Sequence, residues 1–162
     1  MPNTKIDHSP ISAGALGYQC QDISDASFRS YIRENAGHLL VEDSRPTHEE
    51  PREAYRIISD LLAKLDDLVA IYIVGGGISG VLKALREAPE EKRRTIRLVC
   101  RDIGPKTRRG LAKGLITAAL CHPLEQTSSQ LLQTMLDAHG QPERGIILQR
   151  MVPFEIITPE SF

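Results

Sequence analysis

Four glycines in one short loop, Gly75, Gly76, Gly77 and Gly80, have the clearest potential to bind a ligand. They follow an apolar run typical of a buried parallel strand and precede a helical pattern. A strand-to-helix turn of this kind presents backbone amides, and it can receive an anion or another polar ligand at the helix N-terminus. The same glycines could instead serve only to let the helix pack closely against the strand.

The spacing of Gly75, Gly77 and Gly80 satisfies the G-x-G-x-x-G pattern of dinucleotide-binding proteins. Asp102 ends the next apolar run about twenty residues later, where that pattern places a carboxylate for the ribose. A nucleotide-binding enzyme that uses these glycines and Asp102 is therefore one hypothesis. The Asp102 carboxylate could equally accept hydrogen bonds from a free carbohydrate, or cap a helix that begins near Pro105.

Cys121 and His122 follow a further apolar run, so they lie at the same predicted sheet edge as the glycine loop. Adjacent residues on an extended chain point to opposite faces, which argues against a nucleophile and base pair. We therefore interpret His122 as a structural or ligand-contacting residue and expect no catalytic residue. The three cysteines, Cys20, Cys100 and Cys121, are far apart, and no metal-ligand spacing emerges, so we expect no metal and no disulfide.

Composition and charge limit the classes of protein that this chain can represent. Its 162 residues suffice for one well-buried core but not for two ordinary domains. The net charge is −1, so no basic face for nucleic acid is expected. No apolar run reaches the roughly 18 residues that a membrane helix needs, and the N-terminus carries no apolar targeting segment. We therefore expect a cytoplasmic protein without a membrane partner.

Alternating apolar patterns predict an α/β fold, with a three-layer parallel sheet and helices on both of its faces. The predicted strands are His38–Glu42, Leu68–Val74, Thr95–Arg101 and Leu115–Leu120. The predicted helices are Ser27–Asn35, Glu49–Lys64, Gly80–Glu87, Lys106–Lys113 and 123 to about 138. Two β-rich pieces, Gly145–Gln149 and Phe154–Ile157, are expected to form a terminal extension or an antiparallel edge. No convincing strand precedes Phe28, so we divide the chain into a poorly defined segment, 1–23, and an α/β lobe, 24–162.

Four segments in a fixed order resemble one known family. They are SFRSYIREN at 27–35, DLVAIYIVGGGISGVLKAL at 67–85, RLVCRDIGPKTRRGL at 97–111 and ITAALCHPLEQ at 116–126. Together they resemble the C-terminal lobe of the effector-binding domain in LacI/GalR-type transcription regulators. The resemblance implies one lobe of a type I periplasmic-binding-protein-like fold, with a sugar or related small molecule bound in a cleft between two lobes.

The same resemblance implies which residues contact the effector. Gly75, Gly76, Gly77 and Ser79 would form the cleft-facing turn, Asp102 would match a position that contacts effector hydroxyls, and His122 would lie on the next cleft loop. These roles need no cofactor and no chemistry. The dinucleotide hypothesis is disfavoured because a Rossmann fingerprint normally opens its domain, whereas here a strand and two helices are predicted before the glycines.

Departures from the family pattern modify these expectations. Family members carry an arginine that grips the effector four residues before the position of Phe28, and this chain has Ser24 there. The sequence contains no helix-turn-helix, hinge helix or N-terminal lobe, so we expect an excised or truncated relative. Operator DNA would be bound only through a helix-turn-helix that this chain lacks. Apolar surface facing the missing lobe predicts a homodimer, and loss of the ligand in an interaction protein remains a further hypothesis.

Overall fold

The computed structural model describes residues 11–13, 19–140 and 147–161. The helices are α1 (Gln19–Asn35), α2 (Pro51–Lys64), α3 (Ile78–Glu87), α4 (Glu90–Thr95), α5 (Pro105–Ala112) and α6 (Leu124–His139). The strands are β1 (Ile11–Ala13), β2 (Ala70–Ile73), β3 (Arg97–Arg101), β4 (Ala118–Cys121) and β5 (Glu155–Ile157). A single 3-10 turn, Pro159–Ser161, follows β5.

The five strands form one sheet in the order β1-β2-β3-β4-β5. The first four strands are parallel, and β5 is antiparallel to β4. The register pairs Ile71 with Leu98 and Cys100 with Ala119, so these side chains project from the same face. The fold is therefore α/β with a mostly parallel sheet, as the sequence predicts, and the expected antiparallel edge is confirmed at β5.

The main core lies on one side of the sheet, which we call the packed face. Its strand residues are Ile71, Ile73, Leu98, Cys100, Ala119 and Cys121, and all of them are buried. Helix α2 packs here because its apolar residues recur at helical spacing, and α3 and α5 lie beside it on the same face. The buried residues of α2 are Ala54, Ile57, Ile58, Leu61 and Leu62.

The opposite side of the sheet, which we call the open face, is less covered. Its strand residues Tyr72, Val99, Arg101 and Leu120 are only half-buried. Helix α1 lies over this face, where the ring of Phe28 packs 5.0 Å from the ring of Tyr72, centroid to centroid. Helices therefore lie on both faces of the sheet, but their packing is unequal.

The N-terminal part of the lobe differs from the sequence prediction. The expected strand His38–Glu42 is irregular in the structure, and the carbonyl of Glu42 accepts a hydrogen bond from Arg29 Nη2 at 2.6 Å instead of pairing in a sheet. A strand does precede Phe28, since β1 pairs with β2, and α1 begins eight residues earlier than Ser27. The boundary at residue 24 falls within α1, and the division into two segments stays a prediction.

Three consecutive basic residues, Lys92, Arg93 and Arg94, lie between a predicted helix and a predicted strand, where such a cluster is usually a solvated loop. In the structure they are part of helix α4. Lys92 Nζ donates to the carbonyl oxygens of Leu62 and Leu65 at 2.8 and 3.3 Å, and so it holds α4 against the end of α2. Of the predicted β-rich piece Gly145–Gln149, residues 145 and 146 lie outside the described residues and the remainder is irregular. Among the helices that the structure describes, none is long and apolar enough to span a membrane.

Candidate functional site

Three loops follow parallel strands and therefore meet at one edge of the sheet, which we call the carboxyl edge. The glycine loop follows β2, Asp102 follows β3 and His122 follows β4. The sequence predicts this convergence, because the carboxyl ends of parallel strands lie side by side. Ligands in open parallel sheets bind at this edge.

The glycine loop is covered by side chains from α1 and from the segment before α2. A Cβ added at Gly75 would lie 2.7 Å from Gln21 Nε2, and one added at Gly76 would lie 2.8 Å from Glu49 Cβ. Gln21 Nε2 donates to Glu49 Oε1 at 3.3 Å, which joins the two covering residues. Little room is left over the loop, and the carboxylate of Glu49 lies beside it.

The remaining glycines of the loop let α3 approach α2. Gly77 has a φ of 86°, which glycine adopts readily, and a Cβ there would lie 2.8 Å from Ala54 Cβ. A Cβ at Gly80 would lie 1.8 Å from the backbone oxygen of Pro51. These two positions therefore serve close helix packing, which was the alternative interpretation of the loop.

Asp102 lies in the open at the carboxyl edge. Its φ is 63°, its side chain is exposed, and its amide donates to the carbonyl oxygen of Leu120 at 2.7 Å. The N-cap of α5 is Gly104, so Asp102 does not cap that helix. Of the two roles that the sequence allows for this carboxylate, helix capping is therefore excluded, and hydrogen bonding to a ligand stays a prediction.

His122 lies at the mouth of a cavity of about 190 Å³ on the open face, next to α1. Polar side chains of Ser24, Tyr72 and Arg101 line this cavity, and the exposed ring of Phe154 borders it. His122 Nδ1 is 3.5 Å from the carbonyl oxygen of Pro153. A pocket that combines hydroxyl, guanidinium and imidazole groups with aromatic carbon suits a polar ligand of small size.

Arg101 and Tyr72 are two residues of this cavity that sequence reasoning missed. The Arg101 side chain is held in place by a hydrogen bond. Its Nη1 donates to Ser24 Oγ at 3.0 Å, and Ser24 Oγ donates to the carbonyl oxygen of Cys20 at 2.7 Å. Burial raises the pKa of the Tyr72 phenol in the same cavity, while the guanidinium of Arg101 opposes that shift. The two-residue alternation in β2 and β3, which places Tyr72 and Arg101 on one face, is the signal that could have revealed them.

Ser79 lies apart from this cavity. It is on α3, and it lines a different pocket between α3 and α5. The structure thus brings Asp102 and His122 to one edge with the glycine loop, while Ser79 faces the groove between two helices. The assignment of all six residues as ligand contacts stays a prediction.

The cysteines of the lobe are poorly suited to nucleophilic chemistry. Burial raises the pKa of the Cys121 thiol, with Glu155 and Asp102 adding to the shift. Burial raises the pKa of the Cys100 thiol to about 12. Both thiols are therefore protonated at neutral pH, and a thiolate is the form that reacts. Among residues 11–13, 19–140 and 147–161, no cluster of three or more potential metal ligands is present.

Several solved structures with a similar fold are described as binding proteins for sugars or for a polyol. GanP, a glucose-galactose binding protein from Geobacillus stearothermophilus, has a TM-score of 0.80 and 19% identity, over 97% of this chain and 55% of that chain. AraP, an arabinose binding protein from the same organism, has a TM-score of 0.80 and 15% identity, over 96% of this chain and 56% of that chain. An ABC transporter solute binding protein from Bacillus halodurans with bound myo-inositol has a TM-score of 0.75 and 19% identity, over 96% of this chain and 53% of that chain.

These similarities identify the fold. The chain has the fold of one lobe of a periplasmic-binding-protein-like domain, and the expected fold class is confirmed. It spans about half the length of these solved structures. No known family profile matches the chain, and no curated protein is similar to it in sequence.

Proposed function

We propose that this lobe binds a sugar or a related polyol at the carboxyl edge of its sheet, without catalysis or a cofactor. The observation that carries the proposal is the cavity beside His122, where Arg101 is held by Ser24 at 3.0 Å. The LacI/GalR resemblance places an effector-gripping arginine at the position of Ser24. In this chain the guanidinium of Arg101 reaches the same place from β3, so it can supply that group.

The surroundings of the cavity favour a ligand rich in hydroxyl groups. The Arg101 guanidinium offers hydrogen-bond donors, and the exposed carboxylate of Asp102, the next residue, offers acceptors at the same edge of the sheet. Sugar hydroxyls can use both. Phe154 supplies an exposed aromatic ring at the border of the cavity. The likeness to structures of glucose-galactose, arabinose and myo-inositol binding proteins supports the same class of ligand.

The nucleotide-binding alternative is not favoured by the glycine loop. A dinucleotide places its pyrophosphate against the glycines and the N-terminus of the following helix. Here Gln21 and Glu49 cover Gly75 and Gly76, and the Glu49 carboxylate would repel the phosphates.

The test is an NMR titration of the chain with glucose, galactose, arabinose and myo-inositol. We expect saturable shifts of the amides of Tyr72, Arg101, Asp102 and His122 with at least one of them. With one lobe contributing contacts, a Kd of about 1 mM, or about −4 kcal/mol, is expected. Arg101→Gln should abolish these shifts.

Arg97→Gln is the matched control, since Arg97 lies at the opposite end of the same strand and face. It removes the same charge and should leave the titration unchanged. Equal effects of the two variants on the sugar titration would contradict the proposal. So would binding of a nicotinamide or flavin cofactor tighter than about 100 μM in a chain that binds none of the sugars.

We further propose that the lobe belongs to a cytoplasmic LacI-type regulator as its ligand-sensing and dimerisation portion. Ligand binding would then shift a two-state equilibrium that a separate DNA-binding segment reads. Genomic sequence encoding a helix-turn-helix in frame with this lobe would support the regulator. A secretion signal in the same reading frame would contradict it and leave the sugar proposal standing.

The surface of α6 supports self-association. Its apolar side chains lie within about 140° of the helix circumference at roughly 100° per residue, and no residue of α6 is buried. These side chains are Leu124, Leu131, Leu132, Met135 and Leu136, each more than half exposed. An exposed apolar stripe of this kind marks an interaction surface.

Light scattering coupled to size-exclusion chromatography tests the homodimer. We expect the mass of a dimer for the native chain and of a monomer for Leu131→Lys/Met135→Lys. Gln126→Lys/Gln130→Lys adds the same charge on the opposite side of α6 and should leave the dimer intact. A native monomer at millimolar concentration would rule out this arrangement.

A further inference from the structure

A second pocket, distinct from the cavity beside His122, lies in the groove between α3 and α5. It has a volume of about 220 Å³, and its floor consists of Leu82, Gly110 and Leu115. Its walls carry a hydroxyl group, from Ser79, and five cationic side chains. The five cations are Lys83, Arg86, Lys106, Arg109 and Lys113.

The two helices place these cations by simple periodicity. On α3, Lys83 and Arg86 follow Ser79 at intervals of four and three residues, which puts all three on one side of the helix. On α5 and its C-cap, Arg109 and Lys113 follow Lys106 at intervals of three and four residues. Two rows of positive charge therefore face each other across the groove.

The groove is narrow because a glycine allows the helices to approach each other. A Cβ added at Gly110 would lie 3.3 Å from Leu82 Cδ2 and 2.5 Å from Ile116 Cδ1. A larger residue at this position would have to displace the Ile116 side chain and would crowd Leu82 on α3, so glycine favours the close approach of the two helices. The close approach holds the two cationic rows together, although like charges repel.

Most of these cations have no acidic partner among the described residues. Arg86, Lys106, Arg109 and Lys113 form no ion pair within the described ranges, whereas Arg56, on α2, is paired with two carboxylates. Lys83 is the partial exception, with its Nζ 3.9 Å from Glu87 Oε1 and 4.6 Å from the ring centre of Tyr55. The lining of the pocket contains no carboxylate.

This concentration of charge is not a general property of the chain. The sequence has 20 lysines and arginines against 21 aspartates and glutamates, yet five of those cations line one small pocket. Collecting unpaired cations costs electrostatic free energy that a bound anion would offset.

We propose that the groove between α3 and α5 binds a small molecule with two adjacent phosphoryl groups. Guanidinium groups bind phosphate oxygens in a bidentate manner, and lysine ammonium groups bind them as point charges. Two facing rows of cations match two phosphoryl groups, and the hydroxyl of Ser79 can donate to a phosphate oxygen. The small volume favours a compact diphosphate over a nucleic acid, which would need a basic face extending beyond the pocket.

Isothermal titration calorimetry with inorganic pyrophosphate, at constant ionic strength, tests the proposal. We expect saturable binding to the native chain with a stoichiometry of one. Arg86→Gln/Arg109→Gln should weaken that binding by about tenfold or more, because it removes one guanidinium from each wall. Both side chains are exposed, so the variant is expected to fold, and circular dichroism checks this.

The matched control is Arg52→Gln/Lys64→Gln, which removes two charges from exposed positions of α2 outside the pocket. It should bind pyrophosphate as the native chain does. Equal weakening in both variants would show general charge screening and overturn the site. Binding of citrate but not of pyrophosphate would overturn the phosphoryl assignment, and tight binding of single-stranded RNA that Arg86→Gln/Arg109→Gln abolishes would favour a nucleic acid instead.

A sugar titration of Arg86→Gln/Arg109→Gln separates this site from the carboxyl edge. The sugar-dependent amide shifts at Asp102 and His122 should be the same in this variant and in the native chain. The two proposals can therefore fail separately: if no sugar binds to the native chain, the pyrophosphate titration still tests the groove between α3 and α5.

Discussion

At the scale of single residues, helix packing and the proposed ligand contacts belong to different residues of the carboxyl edge. Gly77 and Gly80 allow helices to pack, while Asp102 and His122 are exposed at the carboxyl edge and His122 lines a cavity there. The sequence could place Asp102 and His122 at one edge, because that follows from parallel strands alone. It could not reveal that Arg101 reaches Ser24, because that contact depends on how α1 lies over the open face.

Gly80→Ala tests the packing role of the loop. The added Cβ would meet the backbone oxygen of Pro51 at 1.8 Å, which neither helix can relieve without moving. We expect the free energy of unfolding to fall by about 2 kcal/mol or more, as measured by urea denaturation. In Gly37→Ala the nearest atom is the Arg33 backbone oxygen at 3.7 Å, so that variant should differ from the native chain by less than about 1 kcal/mol.

Cys100 gives the lobe a pH-dependent stability. Burial raises the pKa of its thiol to about 12, above the value near 8.5 of an unfolded cysteine. The folded state therefore holds the proton more tightly, and its stability falls as the pH rises from about 8.5 towards 12. Between pH 8 and pH 10 the free energy of unfolding should decrease more for the native chain than for Cys100→Ala.

Urea denaturation at both pH values measures that difference. The two proteins share every ionisable group other than the Cys100 thiol, so the comparison isolates Cys100. Identical decreases would mean that the thiol of Cys100 is not protected from ionisation.

At the scale of elements, short helix α4 acts as a clamp on the end of α2. Lys92 donates to Leu62 and Leu65 and pairs with Asp66 at 2.8 Å. Cations near a helix C-terminus satisfy its last carbonyl groups and interact favourably with its dipole. The contacts of Lys92 with the end of α2 could not be predicted from the sequence, where three consecutive basic residues suggest a solvated loop.

Lys92→Met removes these contacts while keeping the aliphatic stem. We expect a loss of about 1 kcal/mol in the free energy of unfolding, measured by urea denaturation, because two carbonyl groups lose a charged donor. Arg94→Gln breaks only the exposed pair with Glu90, and it should change stability by less than about 0.5 kcal/mol. A loss in Arg94→Gln as large as that in Lys92→Met would contradict the clamp.

The accuracy of the sequence prediction varies among elements for a physical reason. The predicted helix Glu49–Lys64 agrees closely with α2, because its apolar stripe records packing against the sheet. Strands depend on distant partners, and the short β1 pairs with β2 nearly sixty residues later in the chain. The apolar run His38–Glu42 has a strand-like composition, but no strand among the described residues pairs with it, so composition alone gave the wrong answer there.

At the scale of the whole molecule, burial is strongly asymmetric. The core cluster lies between the packed face and the helices α2, α3 and α5, whereas α6 has no buried residue. An element with few buried apolar contacts opens at low free-energy cost. The apolar stripe of α6 is therefore both a weakly protected part of the described chain and the surface proposed for dimerisation.

Hydrogen exchange followed by mass spectrometry tests this asymmetry. Amides of α2 and β3 should exchange near the global unfolding limit, and amides of α6 should exchange much faster in dilute solution. Protection of α6 should rise with protein concentration if the stripe is covered in a dimer. Uniform protection of α2 and α6 at low concentration would contradict both the asymmetry and the exposed stripe.

The sequential order of the strands has a consequence for how the protein is made. Each strand from β2 to β5 pairs with the described strand synthesised immediately before it. The chain leaves the ribosome at about 5–20 residues per second, so the strand with which each new strand pairs has already been synthesised. The sheet can therefore extend from β1 to β5 in one direction during translation, and β5, which is antiparallel to β4, is the last strand to be added.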